Sequence, residues 1–229
     1  MKHRTFQGEV YQQQGDVYLN DGRENALLHF AYNHPKIERM RGNPKKVLEA
    51  IDEYARTQKS LMNIGPYKAR TAAGGMRYFS LEINPEFGAV ISMLVDLAGL
   101  RDIVTVVIGA SSDSLKRLHS EGKLGRIDLL FLDHYKPAYT MDLKLCEELG
   151  LVGPGSVYVA DNVVKPGNPP YLEYVSSTVE QKRRSSRNAD RATLKGNPNL
   201  LYETEFIEGW EPSSEPDALE IARCIRVEE

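Results

Sequence analysis

The hydrophobic pattern changes period along the chain. Before about residue 20 there is none: Gln12, Gln13 and Gln14 stand among scattered Gly and Asp, which predicts an arm or lid over residues 1–23. From residue 23 to 34, Ala26, Leu27, Phe30 and Ala31 recur at helical spacing until Pro35 stops the run. A second helix is expected after Asn43, a good cap, and Pro44, suited to a first helical position, with Val47, Leu48, Ile51, Tyr54 and Ala55 on one face. Residues 66–76, including Ala72, Ala73, Gly74 and Gly75, form a small-residue connector with no apolar period. Strand and helix signals then alternate. Strands are expected at 78–82, 103–108, 127–132 and 156–160, and helices at 85–100, 114–121, 139–149 and 169–182. Residues 176–199 are polar and basic, which reads as a solvated helix end and loop more readily than as an anion-binding segment. Residues 200–207 and 218–227 alternate like an antiparallel strand pair.

Strands that are apolar almost throughout, separated by helices, indicate a parallel sheet covered on both faces. The expected class is α/β, with a single domain over residues 24–229 behind the arm. Composition does not disturb this: 229 residues, 41% hydrophobic and 27% charged, suit one large globular domain. A net charge of -3 argues against a nucleic-acid-coating surface and favours a small-molecule partner. No apolar run is long enough to span a membrane or to form a signal peptide, so the expected setting is the cytoplasm, and the expected state a monomer. Cys146 and Cys224 lack metal-type spacing and read as buried reduced thiols.

Chemistry concentrates where strands end. In a doubly wound sheet, ligands bind at the carboxyl ends of the parallel strands. Glu82, Asp133 and Asp161 each close a different predicted strand, so all three carboxylates should line one edge. Asp133, Asp161 and Asn162 offer two anionic oxygens and one amide oxygen, hard ligands suited to magnesium, calcium or manganese. Either aspartate alone is better explained by a turn or a cap; their pairing at matched strand ends favours the metal. His134 is a packing or cofactor-contact residue sooner than a ligand. Lys136, three residues after Asp133, falls in the loop that would cover the metal, where a neighbouring cation disfavours its charged form and lets it act as a base. Glu82 suits ribose hydroxyls.

These residues also carry a family resemblance. Val47–Asp52, Met62-Asn63-Ile64-Gly65, Leu81-Glu82-Ile83-Asn84-Pro85, Gly109-Ala110-Ser111, Phe131-Leu132-Asp133-His134-Tyr135-Lys136, Ala160-Asp161-Asn162-Val163 and Pro166-Gly167 occur in the order of the catechol O-methyltransferases. The chain resembles that magnesium- and S-adenosylmethionine-dependent family, its fungal members most, from about residue 24 onward. The resemblance implies a Rossmann-like methyltransferase sheet and a catechol substrate. It implies that Asp133, Asp161 and Asn162 hold Mg2+, and that Lys136 takes the proton of the attacking hydroxyl. Met62, Ile64, Glu82, Ile83, Ser111, Asp133, His134 and Tyr135 would contact S-adenosylmethionine. Lys136, Asn162, Pro166 and Glu211 would contact the catechol, with Glu208 as the alternative to Glu211.

One departure stands out. Family members place a helix end, the first central strand, a glycine-rich turn and the next helix between the Met-Asn-x-Gly and Glu-x-Asn-Pro segments. Here only residues 66–81 fill that interval, leaving out roughly thirty residues, about one strand-turn-helix unit. An unfilled gap strips partners from several backbone groups at about 1 to 3 kcal/mol each, against about 5 to 15 kcal/mol for a whole domain. The first central strand is therefore expected to be missing, and the 78–82 strand is expected to take its place, or else the core packs poorly. The missing turn also predicts weakened S-adenosylmethionine binding, which puts activity in question. The alternatives are a catalytically silent metal- and catechol-binding relative, or another metal-dependent α/β enzyme, although no early aspartate nucleophile supports the latter.

Overall fold

The computed structural model describes residues 21–59, 61, 77–190, 192–210 and 216–229. The expected arm before residue 21, Met62, Ile64, the 66–76 connector and Glu211 lie outside the described residues. The chain divides into two compact units, meeting in sequence between Ser114 and Leu115.

The first unit begins with helices Arg23–Tyr32 (α1), Ile37–Met40 (α2) and Pro44–Thr57 (α3). Asn43 caps α3 as its sequence predicts, its side chain accepting the Lys46 N–H at 3.2 Å. Strand Tyr78–Glu82 (β1), helix Pro85–Leu97 (α4) and strand Val104–Ile108 (β2) follow, β1 and β2 pairing in parallel. Ala31, Met40, Val47, Ala50, Leu97 and Ala98 form this unit's buried cluster. A tight approach seals it: the Gly42 N–H donates to the Leu97 carbonyl at 2.9 Å, and a Cβ on Gly99 would lie 2.9 Å from the Gly42 Cα.

Helix Ser111–Ser120 (α5) starts three residues earlier than the apolar pattern suggests, because Ser111, Ser112 and Asp113 make a polar first turn that the pattern cannot register. The second unit continues with strand Leu129–Leu132 (β3), helix Tyr139–Glu148 (α6), strand Val157–Ala160 (β4), helices Pro169–Ser176 (α7) and Val179–Asn188 (α8), and strands Leu200–Trp210 (β5) and Pro216–Val227 (β6). Its sheet runs β3-β4-β6-β5, with β3 and β4 parallel and the C-terminal pair antiparallel as expected. Side chains of α6 and α7, including Tyr139, Leu143, Tyr171 and Val175, pack with Leu132, Tyr158 and Cys224 of the strands in one core.

One expectation is corrected. The single helix over 169–182 is two helices, because Thr178 opens a capping box with Gln181 that ends one and starts the next. β1 pairs with β2, and β3 with β4, in separate ladders. Burial differs between the strands. No residue of β1 is buried and only Val107 of β2 is, whereas β4 buries Tyr158, Val159 and Ala160. Among the described residues no strand lies between α3 and β1.

Candidate active site

In the second unit, Leu132 and Ala160 are register partners on parallel strands. The residues that follow them, Asp133 and Asp161, therefore leave neighbouring strand ends at one edge. The Asp161 N–H still donates to the Leu132 carbonyl at 2.9 Å, so the ladder holds up to the carboxylates. Asp161 is buried, and its Oδ1 accepts the Asn162 N–H at 2.8 Å. Asn162 itself is left-handed (φ 57°, ψ 42°), a conformation asparagine tolerates better than most residues. Its side-chain Nδ2 donates to Asp217 Oδ2 at 2.7 Å.

Lys136 opens a single 3-10 turn, Lys136–Ala138, and is buried despite its charge. Its Nζ donates to Tyr139 Oη at 2.7 Å and to Asp133 Oδ1 at 3.3 Å, while its carbonyl accepts Asn168 Nδ2 at 2.6 Å. A buried ammonium needs such partners, since desolvation without them costs several kcal/mol. Tyr139 Oη in turn donates to the Asp161 carbonyl at 3.4 Å. Burial, reinforced by the Asp133 and Asp161 charges, holds the Tyr139 phenol far above its ordinary value, so it stays protonated and keeps this bridge. The His134 ring stacks on Tyr139 with centroids 5.0 Å apart, and its Nε2 donates to Asp142 Oδ2 at 2.8 Å. Tyr135 is half exposed next to it, and Pro166 lies in the turn Val163–Gly167 after Asn162.

The donor set suits a small divalent cation. Among the described residues no trio of His, Cys, Asp or Glu is gathered; Asp133, Asp161 and Asn162 together offer two carboxylates and one amide oxygen. Hard oxygen donors of this kind, few enough to leave positions for water or substrate, are what magnesium takes.

The remaining expected contacts belong to other elements. Glu82 ends β1 in the first unit and Ile83 follows it; Glu82 Oε1 accepts the Asn84 N–H at 2.7 Å, and Ile83 is exposed. Ser111 opens α5, and nearby the buried Ser114 hydroxyl has no hydrogen-bond partner among the described residues. Glu208 is an exposed residue of β5. Sequence reasoning missed Asp217 and Tyr139. Asp217 gave a faint signal, a carboxylate at the start of an apolar strand, but its partners lie more than fifty residues away.

The chain belongs to the O-methyltransferase family, whose model matches residues 58–183. Within that family it is similar to the catechol O-methyltransferases of mouse and cattle. It is 34% identical to the mouse enzyme, over 85% of this chain and 84% of that protein, and 32% identical to the cattle enzyme, over 82% and 79%. The mouse alignment runs over 226 positions while taking in only 85% of these 229 residues, so that relative has residues without counterpart here. An O-methyltransferase from Bacillus cereus, solved in complex with SAH, is 18% identical with a TM-score of 0.47, covering 91% of this chain and 94% of that one.

Proposed function

We propose that the protein is a magnesium-dependent catechol O-methyltransferase that takes its methyl group from S-adenosylmethionine, acting as a cytoplasmic monomer on a small-molecule substrate. The observation that carries the reading is the meeting of Asp133, Asp161 and Asn162 at adjacent strand ends with a buried Lys136 tied to Asp133. Similarity to the mouse and cattle enzymes supports the substrate class. Among the described residues no helix is long and apolar enough to cross a membrane, and the two described cysteines are buried free thiols.

Asp133, Asp161 and Asn162 would hold Mg2+, which acidifies a coordinated hydroxyl as it does a coordinated water. S-adenosylmethionine would supply an electrophilic methyl. What the chain itself contributes is position and proton management. Lys136 Nζ, held by Tyr139 Oη beside Asp133, would act as the neutral amine, the form that a cation bound nearby favours, and take the proton from the hydroxyl, becoming the ammonium. Tyr139 fixes that nitrogen and, through the Asp161 carbonyl, couples it to the second strand end. Pro166 walls the ring, and Glu211 or Glu208 takes the second hydroxyl.

The Lys136→Met variant distinguishes a working base from a packing lysine. In steady-state kinetics kcat is expected to fall by about 10²- to 10⁴-fold while catechol binding persists; a variant with the wild-type kcat contradicts the role of Lys136.

A further inference from the structure

We propose that Asp217 is a positioning residue of the metal site, setting which face of the Asn162 amide a cation meets. The inference rests on the reading above, that Asp133, Asp161 and Asn162 bind a divalent ion, and it assigns a task to a residue outside that set. Asp217 is buried at the start of β6, yet one carboxylate serves three groups of the segment that follows β4. Oδ2 accepts Asn162 Nδ2 at 2.7 Å. Oδ1 accepts the backbone N–H of Val164 at 3.2 Å and of Lys165 at 3.1 Å.

A carboxylate is acceptor-only, so the end of the amide facing it must be the NH2. The two ends of an amide point in opposite directions, and the carbonyl oxygen is thereby turned away from Asp217. Only that oxygen can ligate a cation. An asparagine ligand differs here from an aspartate, either of whose oxygens serves: half of its orientations present two N–H groups to the metal. Asp217 removes the wrong half. Its other oxygen holds the backbone leading to Pro166, so the ligand and the adjoining turn are fixed from one point.

The orientation is set by chemical complementarity, which makes it reversible by design. In Asp217→Asn, the new side chain's oxygen keeps the Val164 and Lys165 bonds, and its NH2 then faces position 162. Asn162 must flip to offer its oxygen to that NH2, turning its own NH2 toward the metal. In the double variant Asn162→Asp with Asp217→Asn, the NH2 at 217 meets one carboxylate oxygen and the other oxygen points to the metal. The pair keeps its single negative charge.

The test uses the full chain without methyl donor or acceptor and follows Mn2+ binding by the electron paramagnetic resonance of the free ion. Asp217→Asn is expected to weaken binding about 10- to 100-fold, the range typical of groups that orient metal ligands, and the double variant to recover most of that loss. Circular dichroism establishes that each variant is folded, and if Asp217→Asn alone is not, the double variant decides. Binding by Asp217→Asn equal to wild type overturns the inference, as does a folded double variant that stays as weak as the single one. Both outcomes leave the metal site standing. A wild-type chain that binds no Mn2+ defeats the site itself, and the inference with it.

Discussion

Buried charge in the second unit is managed residue by residue. Glu147 accepts the Tyr202 hydroxyl at 2.5 Å, the Tyr174 hydroxyl at 2.5 Å and the Asn197 N–H at 2.8 Å, joining α6, α7 and β5 through one carboxyl. Lys182 of α8 sits over the rings of Tyr174 and Tyr202 and donates to the Leu200 carbonyl; burial pulls its ammonium down to about 8, against the opposing Glu147 charge. Sequence alone assigned Lys182 to a solvated basic run, because its aromatic neighbours come from elements before and after it. Glu220 is less well served. On β6 it is the register partner of Ala160 on β4, and burial pushes its carboxyl up to about 7, opposed by a hydrogen bond with Thr204. Between the ordinary carboxyl value and 7 the folded chain holds a proton that the unfolded chain has released. Stability therefore falls as pH rises through this window. With chelator present, Glu220→Gln is expected to raise the melting temperature at pH 8 and to leave it nearly unchanged at pH 4; an equal shift at both values refutes the assignment. Asp133, Asp161 and Lys136 were legible because their chemistry follows from strand ends and short spacing. Asp217 was not, because nothing local says that a carboxylate at the head of β6 serves a turn after β4.

At the scale of elements, the strands and helices were largely readable, since period and capping residues act locally. The break between α7 and α8 was legible but unread: Thr178 and Gln181 stand at capping-box spacing, and their reciprocal hydrogen bonds make the cap. Strand pairing is harder to read. Which strand a sheet edge meets depends on long-range packing that no local pattern encodes. Close approaches are similarly hidden. Gly99 has φ 72° and stands against the Gly42 backbone, so a methyl group there meets both backbone strain and a neighbour that cannot rotate away. Gly99→Ala is expected to lower stability by about 1 to 3 kcal/mol in urea unfolding; a neutral substitution would show that the Gly42–Gly99 approach relaxes freely.

Across the whole molecule, the two units differ in how much of their sheet is buried. The second carries Asp133, Asp161, Asn162 and Lys136 on strands and turns anchored in a dense core. The first carries Glu82 at the end of β1, a strand with no buried residue. A working methyltransferase needs the donor as well as the metal, whereas a silent relative needs only the metal edge and its catechol. The short interval between residues 65 and 82 could be counted against a known family order; strand pairing could not. The most direct measurement is methyl transfer by the purified full chain from methyl-labelled S-adenosylmethionine to 3,4-dihydroxybenzoic acid, with Mg2+ or with EDTA. The account predicts label in a mono-methylated product with Mg2+ and none with EDTA. Absence of transfer at saturating donor and Mg2+, or transfer indifferent to EDTA, would contradict it.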